Sequence, residues 1–379
     1  MRRHGPGFGR RGSGAPEDGV VEAPTAKVEQ MPENARMDTV LPGATPARTS
    51  PWRLCVAPMM DWTDRHCRAF HRVVAPGARL YTEMLHAQAL VHGDVARLLA
   101  QAPGERPTAL QLGGSEPRAL AVAARIGERA GFDEINLNVG CPSERVQAGR
   151  FGACLMLEPG LVADCVRAMQ DAVGVPVTVK CRIGVDDQDG EADLDRFVDG
   201  LARTTSLAVL VVHARKAWLK GLSPHENRTV PPLDYGRVHR LKQRHAALTV
   251  VINGGLVDVP TSLAQLAHVD GVMLGRAAYH DPYVLALLDA ALRGVEPPSR
   301  AGILRALRPY IDAECLRGTP LKHITRHLLG LYQGQPGARR YRRLLTEAAV
   351  RKEATWDLLE QALSQVDVSA SVITNEAGS

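Results

Sequence analysis

Cys141 is the residue whose type and setting speak most directly of chemistry. It lies between Gly140 and Pro142, directly after the apolar run Glu134–Val139, so its thiol rides on a tight turn. A thiol with an ordinary pKa of roughly 8.5 is mostly protonated at neutral pH and can donate a proton. Lys180 closes another apolar run, Val177-Thr178-Val179. A cation there would face an electron-rich ring and stabilise negative charge on it; the bland alternative is a solvated strand end. Gln111 and His213 end two further runs and offer hydrogen bonds to ring edges or phosphate. A lone histidine in such a place is more often structural, and it is the recurrence of polar groups at one level that points to a site. Two glycine-rich ends, Asn253-Gly254-Gly255 and Gly275-Arg276, let backbone amides approach a phosphate that Arg276 can pair with. Each motif alone is a common turn; the two in consecutive loops indicate a phosphorylated cofactor.

These residues need elements to carry them, and the chain supplies a repeating unit. Eight short apolar runs occur at Leu54–Met60, Leu80–Met84, Thr108–Leu112, Glu134–Val139, Val177–Arg182, Ala208–His213, Leu248–Asn253 and Gly271–Leu274. Amphipathic stretches lie between them, among them Glu116–Ala130, Gly160–Val173, Asp193–Thr204, Tyr235–His245 and Val259–Leu266. Continuous apolar strands alternating with helices indicate an α/β protein with a parallel sheet covered on both faces. Eight units fit a closed (β/α)8 TIM barrel, with a doubly wound sheet as the alternative. In a barrel the chemistry lies at the C-terminal ends of the strands. Pro58, Met59 and Met60, Gln111, Asn138 to Cys141, Lys180 and Arg182, His213 and Arg215, Asn253 to Gly255, and Gly275 with Arg276 all fall there.

After Pro297 and Pro298 the strand signal stops, and helices are expected at Ile303–Arg317, His323–Tyr332 and Ala338–Ala349. The resulting division is a disordered extension over 1–50, a barrel over 51–297, a small C-terminal all-helical domain over 298–365 and a disordered tail over 366–379. Net charge is +5, yet from Arg293 to Glu353 there are 13 Lys and Arg against 5 Asp and Glu. Positive charge gathered at one end suits a polyanionic partner, the plain alternative being a solvated helical surface. Seven cysteines without a paired CxxC make neither a disulfide framework nor a zinc site, so no metal is expected and a reducing cytoplasm fits. Cys55, Cys67, Cys154, Cys165, Cys181 and Cys315 read as small apolar packing residues. No apolar run approaches the roughly 20 residues that cross a bilayer, and the N-terminal arginines precede no apolar stretch.

Several strings resemble a known family. Val56-Ala57-Pro58-Met59-Met60-Asp61-Trp62-Thr63-Asp64-Arg65, Gln111-Leu112-Gly113-Gly114 and Asn136-Leu137-Asn138-Val139-Gly140-Cys141-Pro142-Ser143 resemble the tRNA-dihydrouridine synthases. So does the stretch from Arg145 through Gly149-Arg150-Phe151-Gly152-Ala153. His213-Ala214-Arg215-Lys216-Ala217-Trp218-Leu219 and Gly334-Gln335-Pro336-Gly337-Ala338-Arg339 look like the bacterial A-type branch. The resemblance implies reduction of uridine to 5,6-dihydrouridine in the D-loop of tRNA, at positions 20 and 20a, with FMN as cofactor and NADPH as electron donor. It assigns FMN to Pro58, Met59, Met60, Gln111, Lys180, His213, Asn253, Gly254, Gly255, Gly275 and Arg276. It makes Cys141 the proton donor, and Asn138, His225, Arg228, Arg339 and Arg342 the contacts to RNA. At 225 the branch pattern expects a lysine, and His225 stands there instead. A monomer is expected. The competing readings are an FMN-dependent dehydrogenase of a small molecule such as dihydroorotate, which needs no basic helical appendage, and a non-enzymatic RNA binder on an inactive barrel.

Overall fold

A computed structural model describes residues 50–351 and 354–376; the expected N-terminal extension lies outside the described residues but for its last position. Nine strands form one sheet: β1 (Leu54–Val56), β2 (Leu80–Tyr81), β3 (Leu85–His86), β4 (Thr108–Gly113), β5 (Glu134–Val139), β6 (Val177–Arg182), β7 (Val209–His213), β8 (Thr249–Asn253) and β9 (Gly271–Leu274). Their order is β1-β9-β8-β7-β6-β5-β4-β2, with every pairing parallel. A bridge between Cys55 and Arg79 joins the first strand to the last. Two backbone bonds seal it, from Val56 N to Arg79 O (2.9 Å) and from Arg79 N to Leu54 O (2.8 Å). The ring is a barrel, and the doubly wound alternative is set aside.

Of the second expected run, Leu80–Met84, only Leu80–Tyr81 is strand, and a further short strand, Leu85–His86, follows the run. The Thr82 hydroxyl accepts the amide of Gln111 at 3.0 Å, taking the place of a ladder carbonyl. The chain jogs there and pairs again with β4 through β3, Leu85 opposite Leu112.

Alternation along each strand separates two cores. Leu110, Leu112, Ile135, Leu137, Val179, Leu210, Val212, Val250, Ile252, Val272 and Leu274 face the helices. Cys55, Ala57, Tyr81, Ala109, Val209, Val211, Val251 and Met273 form a separate cluster inside the ring. Each fully buried aliphatic side chain stabilises the fold by about 1.5–3 kcal/mol. Helix Pro117–Arg129 shows how close the outer layer lies. It starts on a proline, buries Ala119, Leu120, Ala123, Ala124 and Gly127, and a Cβ on Gly127 would come within 2.4 Å of Leu110.

Beyond Pro298 the chain is helical: Arg300–Leu316, Lys322–Thr325, Ala338–Glu347 and Trp356–Glu376. The expected helix His323–Tyr332 is corrected, since it stops at Thr325 and turns follow. Gly330 there lies against the His280 carbonyl, which an added Cβ would approach within 2.5 Å. The last helix passes the expected end at 365 and runs to Glu376, because no glycine or proline interrupts residues 366–376. The helical region is held to the loop after β1. Asp64 pairs with His327 (3.1 Å), Arg65 with Glu314 (2.7 Å), and His66 Nδ1 bonds Tyr310 Oη (2.7 Å). Arg326 donates to the Asp61 carbonyl (2.8 Å), and Trp62 stacks on Tyr279 with centroids 4.3 Å apart.

Candidate active site

The inward positions at the C-terminal strand ends are Gln111, Asn138, Lys180, Arg182, His213 and Asn253, polar groups ringing one mouth. Lys180 Nζ donates to Asn253 Oδ1 at 3.0 Å, and Asn253 Nδ2 donates to the Met273 carbonyl at 2.7 Å. Burial, with help from neighbouring Arg182, lowers the Lys180 ammonium to about 8. His213 is driven well below its ordinary value by burial first, then by Arg182, Lys180, Arg215 and Arg228, so it is neutral at pH 7. Arg182 falls to about 10, burial again being the main cause. Among the described residues, Lys180, Arg182, Arg215, Arg228 and Arg276 have no carboxylate within ion-pair distance. Uncompensated cations crowded at one rim make a site for an anion.

The Cys141 turn is fixed from three sides. Asn138 Oδ1 accepts the amides of Gly140 (3.1 Å) and Cys141 (3.0 Å). Arg182 Nε donates to the Gly140 carbonyl (2.9 Å), and the same guanidinium reaches the carbonyls of Lys216 (3.0 Å) and Asn227 (2.8 Å). The Cys141 carbonyl accepts the amide of Ala153 at 2.9 Å. The Sγ itself lies 3.6 Å from Ser143 Oγ and is only partly buried, whereas Cys55, Cys67, Cys165 and Cys181 are buried. Gln147 Nε2 donates at 2.8 Å to both Pro142 O and Leu219 O, tying this turn to the loop after β7. A cavity of about 680 Å³ opens beside it, lined by Pro142, Glu144, Gln147, Leu219, Leu222 and Ser223.

The glycine-rich ends are shaped for a phosphate. Gly254 and Gly255 have φ of 107° and 68°. A Cβ on Gly254 would stand 2.5 Å from His213, and one on Gly255 would stand 2.4 Å from Leu233. Among the described residues the amides of these two glycines meet no acceptor, while the Gly254 carbonyl is held by Tyr235 Oη at 2.8 Å. Gly275 precedes helix Arg276–His280, and Arg276 Nη2 bonds the Arg228 carbonyl at 3.1 Å. Free amides, a cradle closed to side chains and unpaired cations fit the phosphate and ring of FMN.

The expected FMN contacts thus gather at one mouth, with a distinction among the first three. Pro58 is partly buried, Met59 is buried in the core with its amide on Thr63 Oγ1 (2.9 Å), and Met60 is 54% exposed. The expected RNA contacts divide. Asn138 belongs to the mouth, where it receives the Cys141 turn and donates to Gln111. His225 and Arg228 are exposed at the turn Glu226–Arg228. Arg339 and Arg342 lie on helix Ala338–Glu347, beside a groove that includes Gln333, Gly334 and Arg340. Sequence reading placed Arg182 at a strand end without giving it a task. Its period-two spacing from Lys180 was the signal that it points inward. Glu134, Ser143 and Gln147 carried no such signal. Among the described residues no group of three or more His, Cys, Asp or Glu could hold a metal ion, and no helix is long and apolar enough to cross a membrane.

A dihydrouridine synthase family model matches residues 55–368. The chain is 62% identical over 315 residues to a tRNA-dihydrouridine(20/20a) synthase of Xanthomonas axonopodis pv. citri, covering 83% of this chain and 94% of that relative. It is 52% identical to proteins of the same name from Vibrio parahaemolyticus, over 84% of this chain and 98% of the relative, and from Yersinia pestis, over 84% and 92%. A match of this extent, on a chain whose barrel mouth brings together a poised thiol, a buried lysine and a phosphate cradle, places the chain in the dihydrouridine synthase family.

Proposed function

We propose that the chain reduces uridine to 5,6-dihydrouridine in the D-loop of tRNA, at positions 20 and 20a, as a cytoplasmic monomer with bound FMN and NADPH as electron donor. The observation that carries this reading is the Cys141 thiol, partly exposed at the mouth beside Ser143 Oγ, on a backbone turn held by Asn138 and Arg182. FMN, when bound at this mouth and reduced by NADPH, would supply the hydride that uracil C6 accepts. Cys141 Sγ gives its proton to C5, the C5–C6 double bond becomes single, and the thiolate recovers a proton from water. Lys180 and Asn253, with Gln111 and His213, hold the flavin ring, and Lys180 keeps a positive charge against it. Pro58 and the backbone of Met59 and Met60 border the ring. Gly254, Gly255 and Gly275 present backbone to the phosphate, and Arg276 pairs with it.

The uridine has to leave the tRNA stack to reach this mouth. His225 and Arg228 meet the RNA near the barrel rim, and Arg339 and Arg342 meet its phosphates farther out, which makes binding strongly salt-dependent. Lining of the mouth by Asn138 sets the space for one pyrimidine. The test is dihydrouridine formation by Cys141→Ala. Flavin content should match the wild type, and product should fall by about 10²–10⁴-fold. Normal turnover by this variant would remove the thiol from the mechanism.

A further inference from the structure

Glu134, at the closed end of the barrel, is the most deeply buried carboxylate in the ring and takes no part in the chemistry above. Its Oε2 accepts from Trp52 Nε1 (2.7 Å) and Arg79 Nη1 (3.1 Å), and its Oε1 from Tyr81 Oη (2.9 Å) and Thr178 Oγ1 (2.5 Å). From Thr178 a file of side chains climbs through the ring. Asn136 Nδ2 donates to Thr178 Oγ1 (2.8 Å), and Gln111 Nε2 to Asn136 Oδ1 (2.7 Å). Asn138 Nδ2 donates to Gln111 Oε1 (2.9 Å), and the amides of Gly140 and Cys141 donate to Asn138 Oδ1.

We propose that Glu134 is a positioning residue for the Cys141 turn, acting through Thr178, Asn136, Gln111 and Asn138 by fixing the direction of every hydrogen bond between them. Donors and acceptors along the file leave one arrangement open. A carboxylate only accepts, so the Thr178 hydroxyl spends its one proton on Glu134. Its oxygen is then left to accept, which turns the Asn136 amide nitrogen down and its oxygen up. The same choice is forced on Gln111 and Asn138. At the top stand two backbone amides, which only donate, and the oxygen of Asn138 is the end they meet. Both termini demand the same polarity. All five side chains are buried, so water does not compete for their atoms. Gln111 and Asn138 therefore present one fixed face each to the mouth, and the Cys141 turn rests on an oxygen that has no freedom to rotate.

This inference rests on Cys141 as proton donor. Thr178→Val keeps the shape and removes the link, and Thr178→Ser restores it. In the FMN-loaded enzyme, reduction by NADPH and reoxidation by unmodified tRNA are followed separately by stopped flow. Thr178→Val should slow reoxidation by about tenfold or more and leave NADPH reduction within about twofold of wild type, with Thr178→Ser returning reoxidation to near the wild-type rate. Tyr81→Phe, which removes a donor to the same carboxylate but lies off the file, should leave both steps unchanged. Wild-type reoxidation in Thr178→Val, or equal loss in both steps, would overturn the proposal. If Thr178→Val does not fold, Thr178→Ala against Thr178→Ser makes the same comparison. Failure of tRNA to reoxidise the wild-type flavin would instead overturn the functional reading, and this inference with it.

Discussion

The barrel mouth and the helical region beyond Pro298 both carry cations and hold them in opposite ways. At the mouth Lys180 and Arg182 are sunk among carbonyls and amides, their proton affinities lowered by burial. On helix Ala338–Glu347, Arg339, Arg340 and Arg343 stand in solvent and Arg342 is half-buried, donating to Gln333; Arg343 pairs with Glu347 on its own helix. Buried cations are few, fixed and individually decisive; exposed ones act by number. On the proposed reading, one region serves chemistry at defined atoms and the other attraction along a charged backbone.

The comparison breaks first at Lys180. Lys180→Met should cost about 10²-fold in turnover with tRNA affinity unchanged. In the wild type the charge is present below about pH 8 and lost as pH rises through that value, so its share of the rate should fade there, and the advantage of wild type over variant should shrink. Stability of the flavin-free protein should move the other way. A lysine whose folded pKa lies below its ordinary 10.5 penalises folding while charged, so stability rises between pH 8 and 10.5. A ratio of wild-type to variant rate that stays constant across this pH range would refute the assignment.

Arg339→Ala with Arg342→Ala should do the reverse, weakening tRNA binding by about tenfold and lowering the salt slope by about 2, with turnover at saturating tRNA intact. Binding measured across a salt series decides this, and an unchanged slope would place the phosphates elsewhere.

The smallest effect concerns the joint between the regions. Burial alone would raise the Asp64 carboxyl, but the hydrogen bond and charge of His327, with the Cys67 amide, bring it down to about 2. Its contribution is thus present above its ordinary 3.8 and lost as pH falls through about 2. Asp64→Asn keeps the cap on helix Arg65–Val74 and loses the charge, and should cost about 2 kcal/mol at pH 7, read by denaturant unfolding. Identical acid-unfolding curves for the two proteins would deny the pair its role.

The same contrast decides what a reader of the residues alone can find. Strands appear as unbroken apolar runs and the phosphate cradle as glycines after two of them, because both are local demands on the backbone. Lys180 and Cys141 are visible for the same reason, each ending a strand. The duty of Asn138 is not visible, since its partner Gln111 stands on the neighbouring strand β4, 27 positions back in the sequence, and only the pairing of β4 with β5 brings the two together. Glu134 and Thr178 are 44 positions apart and meet by register alone. The helix expected through Tyr332 gives way after Thr325 to tight turns, with His327, Leu328 and Leu331 each bonding the carbonyl three residues back, and the close approach of Gly330 to a carbonyl 50 residues upstream, at His280, is a contact the sequence does not announce.

The unpaired cations of the rim have a consequence for the empty protein. Like charges confined without counterions repel, and the loops that carry them bear that repulsion until a phosphate arrives. Ligand that binds only the folded chain shifts the folding equilibrium toward it. On the proposed reading, a copy lacking its phosphate-bearing ligand is therefore the softer of two forms, opening more often and meeting proteases sooner.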